Sequence, residues 1–250
     1  MTQAAAQSPP NLTRFAWVFA RAIGGGLLIS LIGTSIFPIL APLNGRVAPD
    51  LPWAGLATLT LVALAMAWLY GVGWPGASRA FRRRSLRLWR PPAGDTTRRV
   101  IEAAIIAVLI AGVYAFYIYV ATFLAPPRPA PDLSDYPTTA TRIAALMTGA
   151  IVAGVVEEAA FRGYMQSQLE KFGPVLAVFV TSVVFTLAHV THGELFVRLA
   201  PGYFVISMLW CLLAWRSGSI LPGMVLHVVG DALVAYFVVL NGDASLLIAS

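Results

Sequence analysis

Long apolar stretches, broken by short polar or Pro- and Gly-marked segments, run along this chain. Read in order, they predict seven helices over 17–40, 51–72, 100–124, 140–171, 174–189, 201–215 and 221–240. The breaks have distinct causes. Gly73-Trp74-Pro75-Gly76 stops the second helix, and five prolines between Ala125 and Thr139 keep that segment a loop. Gly173-Pro174 separates the fourth and fifth helices, a polar link over 192–199 the fifth and sixth, and Ser217-Gly218-Ser219 the sixth and seventh. Most of these runs approach the roughly 20 apolar residues that cross a bilayer. A helix satisfies its own backbone hydrogen bonds there. The predicted fold class is therefore all-α: a polytopic membrane helical bundle of about seven transmembrane helices. Gly24-Gly25-Gly26 marks a spot for close helix packing in the first span.

Composition agrees. The chain of 250 residues is 58% hydrophobic and 11% charged, against about 25% charged in a soluble domain. The formal charge of +6 is concentrated in one place, with eight arginines and a single aspartate between Arg79 and Arg99. Between two apolar runs, such a cluster reads as a cytoplasmic loop rather than a nucleic-acid surface. The pattern from Ala80 to Arg90 also suits contact with anionic membrane lipids. This placement puts the N-terminus in the cytoplasm and the C-terminus outside. Lys171 and Arg216 then join the cytoplasmic side, while Arg46, Arg128, Arg142 and Arg198 form the outer minority. The lone Cys211 excludes an intrachain disulfide and a cysteine-based metal site. The chain divides into a disordered tail (1–13), an N-terminal membrane part with the Arg-rich loop 79–99 (14–139), a chemistry-bearing part (140–240) and a C-terminal tail (241–250).

The chemistry starts with two acids where none belong. Glu157 and Glu158 interrupt the apolar run of the fourth helix, and each carboxylate near a bilayer centre costs about 2.5–3.5 kcal/mol. Adjacent helical residues point about 100° apart, whereas residues four apart share a face. Arg162 can therefore neutralise Glu158, which becomes structural, and Glu157 is left to face another helix as the candidate general base. Desolvation makes such a carboxylate a stronger proton acceptor than an exposed one. His189 ends the fifth helix, and His227 lies four residues before Asp231 in the seventh. Asp231 can hold one ring nitrogen of His227 and leave the other to stabilise an oxyanion, while His189 can share a water with Glu157. No serine or cysteine stands beside a base, so direct attack by water is favoured. Phe185 is expected to pack against the site, and His192 to sit at the interface.

The motifs Glu157-Glu158-x-x-x-Arg162, Phe185-x-x-x-His189 and His227-x-x-x-Asp231, in this order on successive apolar segments, resemble those of the CPBP family. These are the CAAX prenyl proteases and the bacteriocin-processing or Abi proteins. Phe161-Arg162-Gly163-Tyr164 and Gly218-Ser219-Ile220-Leu221-Pro222 add to the likeness. The resemblance implies an intramembrane glutamate-dependent endopeptidase with a polar, water-accessible cavity. In it Glu157 and His189 would activate water, and His227 with residue 231 would stabilise the oxyanion. The prenyl proteases carry Asn where this chain has Asp231. An ionised Asp cannot donate a hydrogen bond, so here it is expected to orient His227. Metal-free water activation is the favoured chemistry, with no cofactor; zinc held by Glu157, His189 and His227 is the alternative. The expected partners are a membrane-bound or lipid-anchored peptide or protein and the surrounding lipids, with no nucleic acid. The substrate is expected to come sideways or from the cytoplasmic face. Sequence sets no oligomeric state. The Arg-rich, Lys-poor composition suggests a bacterial inner-membrane protein. Two rivals stand beside this: a catalytically silent membrane binding or immunity protein, and a proton-coupled transporter, which the lack of an inverted repeat disfavours.

Overall fold

Apolar runs of this length leave the chain few choices, and the structure, a computed structural model, is built of helices; it describes residues 12–72, 86–88, 96–124, 133, 135–192 and 194–240. Among the described residues seven helices follow one another: α1 Leu12–Val47; α2 Trp53–Ala67, prolonged by wider turns over Trp68–Val72; α3 Thr96–Tyr119, prolonged over Val120–Leu124; α4 Thr139–Phe172; α5 Pro174–Ala188; α6 Glu194–Ser217; and α7 Leu221–Val234, prolonged over Ala235–Val239. Among the described residues there is no strand. Residues 1–11, most of the Arg-rich loop, most of the Pro-rich loop and 241–250 lie outside the described residues.

Five of the helices (α1, α2, α3, α4 and α7) are long and apolar enough to cross a membrane. The chain is thus a multi-pass membrane bundle, as its apolar runs predict. α5 is apolar but only 15 residues long, about 22 Å at 1.5 Å per residue against a hydrocarbon core of about 30 Å. α6 replaces the expected polar link: it starts at Glu194 and runs through Pro201 to Ser217. One internal proline removes an amide donor, and the remaining apolar run sustains the helix.

The helix ends follow from their residues. Thr138 caps α4, its hydroxyl accepting from the Thr141 amide at 3.2 Å, while its own amide donates to the Thr141 hydroxyl at 3.1 Å. Gly173, at φ +114°, makes the turn that Pro174 then locks as the first residue of α5.

α4 is the hub. Over Ala153–Met165 its turns widen to π-type geometry, a distortion often found where a helix carries function. Glycines bring neighbouring helices onto this stretch. Gly25, Gly26 and Gly33 of α1 lie against Tyr164, Met165 and Val156, whereas Gly24 meets nothing within 4 Å. Gly154 of α4 lies against α7: a Cβ there would stand 2.7 Å from the Val228 amide nitrogen and 3.2 Å from the Met224 carbonyl oxygen. At the other side of the widened stretch, Gly163 leaves room for the carbonyl of Leu86. Leu86 and Arg87 are buried, although they belong to the Arg-rich loop.

The α4–α7 crossing therefore has no room for a methyl group. Gly154→Ala should cost about 1–3 kcal/mol of stability, read as a lowered Tm in detergent. Gly112→Ala, on α3 with nothing within 4 Å, should leave Tm unchanged or slightly raised.

Candidate active site

The two glutamates of α4 separate as their helical angle requires. Glu158 points into the bundle and is fully buried, with Oε1 3.2 Å from Arg162 Nη1. Arg162 is itself fully buried and doubly held: Nη2 donates to the Ser207 hydroxyl at 2.7 Å and its carbonyl at 3.4 Å. Its guanidinium also lies over the rings of Phe185, 4.4 Å away, and Trp210, 5.0 Å away. Glu157 instead lines a cavity of about 610 Å³ between the helices, together with His189, His227, Asp231, Tyr114 and Tyr203. All four residues expected to be catalytic thus share one wall-bounded space.

His227 is the point where the site closes up. Its ring stacks on Trp210 with centroids 4.1 Å apart. Nδ1 lies 3.2 Å from Glu158 Oε1. Nε2 faces the cavity, 3.9 Å from Glu157 Oε2 and 3.5 Å from Asp231 Oδ2. This changes one expectation. The carboxylate within hydrogen-bond reach of a ring nitrogen is Glu158, from another helix, and Asp231 stands at the opposite nitrogen. Glu158 thereby joins Arg162 to His227, a role that intrahelical spacing alone does not reveal. A Cβ at Gly223 would come within 2.8 Å of Glu158 Oε2, so the start of α7 is bare where this carboxylate lies.

Asp231 has a partner of its own. The Tyr114 hydroxyl on α3 donates to Asp231 Oδ1 at 3.0 Å. The ring reaches that far because residue 230 is glycine; a Cβ there would be 2.2 Å from it. His189 closes α5 with Nδ1 2.8 Å from the Phe185 carbonyl oxygen. A carbonyl only accepts, so Nδ1 carries the hydrogen, and in the neutral ring the lone pair sits on Nε2. The His189 ring packs between Phe185 and Tyr203, centroids 4.4 and 4.6 Å away. Phe185 is buried as expected and sits edge-on to Phe161. His192 falls in a short turn of 3₁₀ helix, His189–His192.

Residues 139–233 match the type II CAAX prenyl endopeptidase Rce1-like family. This segment is similar to that family. No curated protein and no solved structure matches the chain. The matched segment begins with α4 and ends in α7 just beyond Asp231, so it contains every residue expected to be catalytic. It leaves out Tyr114, which completes the polar wall from α3.

Sequence reading passed over Tyr114, Ser207 and Trp210. Trp210 and Tyr114 look like ordinary aromatic residues of apolar helices, and only Ser207, a hydroxyl in the apolar run of α6, gave a signal. Among the described residues, no group of three or more His, Cys, Asp and Glu side chains is gathered as a metal ion requires. Glu157, His189 and His227 share the cavity without forming a zinc-ligand cluster, so no step below runs through zinc.

The Arg162–Glu158 pair is sealed from water, and breaking it leaves one charge buried alone. Arg162→Ala should cost about 3–5 kcal/mol, measured by unfolding in detergent. Arg162→Lys should recover only part of this, because an ammonium cannot reproduce the fork that meets Glu158 and Ser207 together.

Proposed function

We propose that this protein is an intramembrane endopeptidase that hydrolyses a peptide bond of a membrane-bound or lipid-anchored substrate. The observation that carries the proposal is the convergence of Glu157, His189, His227 and Asp231 on one cavity inside an apolar bundle. Four ionisable side chains are costly there, and hydrolysis is a purpose that uses all of them. The match of residues 139–233 to the Rce1-like endopeptidases supports the same reaction class.

Glu157 takes a proton from a water held between it and His189. The water oxygen bonds to the scissile carbonyl carbon, and the carbonyl oxygen becomes an oxyanion. His227 stabilises that oxyanion through Nε2–H, its ring set by Glu158 and by the face of Trp210. Glu157 then returns the proton to the amide nitrogen, the oxyanion re-forms the carbonyl as the C–N bond breaks, and a carboxylic acid and an amine leave. Asp231, held by Tyr114, faces Nε2 and favours the protonated form of that nitrogen. It is a positioning residue, since an ionised carboxylate has no hydrogen to give. Glu158 and Arg162 are positioning residues also, acting through His227.

The Arg-rich, Lys-poor composition supports a bacterial inner membrane, and the charge of loop 79–99 supports a cytoplasmic N-terminus. Comparing membrane peptides from cells with wild-type protein and with Glu157→Gln should reveal the substrate as the peptide whose cleavage disappears. In purified protein, Glu157→Gln should lower the rate by a factor on the order of 10²–10⁴ at unchanged Tm. Chelator treatment should leave the wild-type rate as it was. A fully active Gln variant would overturn the assignment of Glu157 as base.

A further inference from the structure

The two ends of the bundle differ in charge and in closure. At one end, α1 meets α4 through Arg21 and Gln168, 3.3 Å apart, and α3 meets α6 through Glu102 and Arg216, 3.2 Å apart. The Leu86–Leu88 segment is inserted at this end. Buried Arg87 pairs with Glu170 at the foot of α4. Its carbonyl accepts from the Ile220 amide at 3.0 Å, and the Leu88 carbonyl accepts from the Ser219 hydroxyl at 2.8 Å. A tripeptide tied to both α4 and the start of α7 closes this end directly below the widened stretch.

The opposite end is where α4 begins and where α5 and α7 finish. There the cavity is lined by Leu133, Tyr136, Arg142 and Leu240 as well as by the residues of the site. It therefore extends from Glu157 towards this end and away from the inserted loop. The charges decide which end is which. The segment that joins the end of α2 to the start of α3 carries eight arginines between 79 and 99, and Arg21, Lys171 and Arg216 lie at this same end, against Arg46 and Arg142 at the open one. The cation-rich end is the cytoplasmic one.

We infer that the catalytic cavity opens to the non-cytoplasmic face of the membrane. Its substrate is then a membrane-anchored polypeptide whose scissile segment is presented on that face. This rests on the endopeptidase reading above and replaces the expected cytoplasmic access.

Accessibility to a membrane-impermeant maleimide tests it without any need for cleavage, so failure of the peptidase assignment would not disturb the result. The background is Cys211→Ala. Gly149→Cys and Gly202→Cys each place a thiol on the cavity wall where a Cβ meets nothing within 4 Å, giving two independent reporters. Arg98→Cys, exposed at the closed end, is the orientation control. Both cavity thiols should label in right-side-out spheroplasts and lose labelling in sealed inside-out vesicles, with Arg98→Cys showing the reverse. Cavity labelling from the cytoplasmic side only, from both sides, or from neither would overturn the inference. So would labelling of Arg98→Cys from outside.

Discussion

A full positive charge buried among aromatic rings is the constraint around which this bundle is arranged. Arg162 is fully buried, so its partners come from the protein: Glu158 on its own helix, Ser207 on α6, and the faces of Phe185 and Trp210. Those partners fix α4, α5 and α6 relative to one another. Glu158 extends the same set to α7 through His227. The helices that bring the ionisable side chains together are thus held by a buried group that does not line the cavity. Such a network is costly if incomplete and rigid if complete.

The neighbouring glutamates illustrate how one residue of displacement separates two tasks. Glu158 is enclosed and committed to Arg162 and His227. Glu157, on the adjacent face, looks into the cavity. Burial of the first makes the geometry of the second dependable, because the imidazole opposite Glu157 is aimed by Glu158. Widened turns over Ala153–Met165 and the glycines at positions 25, 26, 33 and 154 let α1 and α7 approach this stretch closely.

Much of this was legible in the chain, for a physical reason. Charged groups in an apolar run are conspicuous, and the spacing of Glu158 from Arg162 reports contact within a helix. Sequence spacing is blind between helices. It assigned Asp231 to orient His227, because those two lie four apart, and could not see that Glu158 approaches the other ring nitrogen from α4. Tyr114 was invisible for the same reason. The helix bounds were less legible at one place: polar residues over 192–199 concealed the first turns of α6, which begins at Glu194. A helix can tolerate charge where it is packed inside a protein, and hydropathy alone does not know where that is.

The contact of Tyr114 with Gly230 has an evolutionary corollary. The phenol reaches Asp231 only over a bare backbone, so the two positions are bound as a pair although they sit on different helices and only one lies in the Rce1-like segment. A descendant with alanine at 230 must surrender the aromatic ring at 114, and a lineage without that ring is released from keeping glycine. The two sites should covary, and the history of the outer helix is thereby written into the domain it serves.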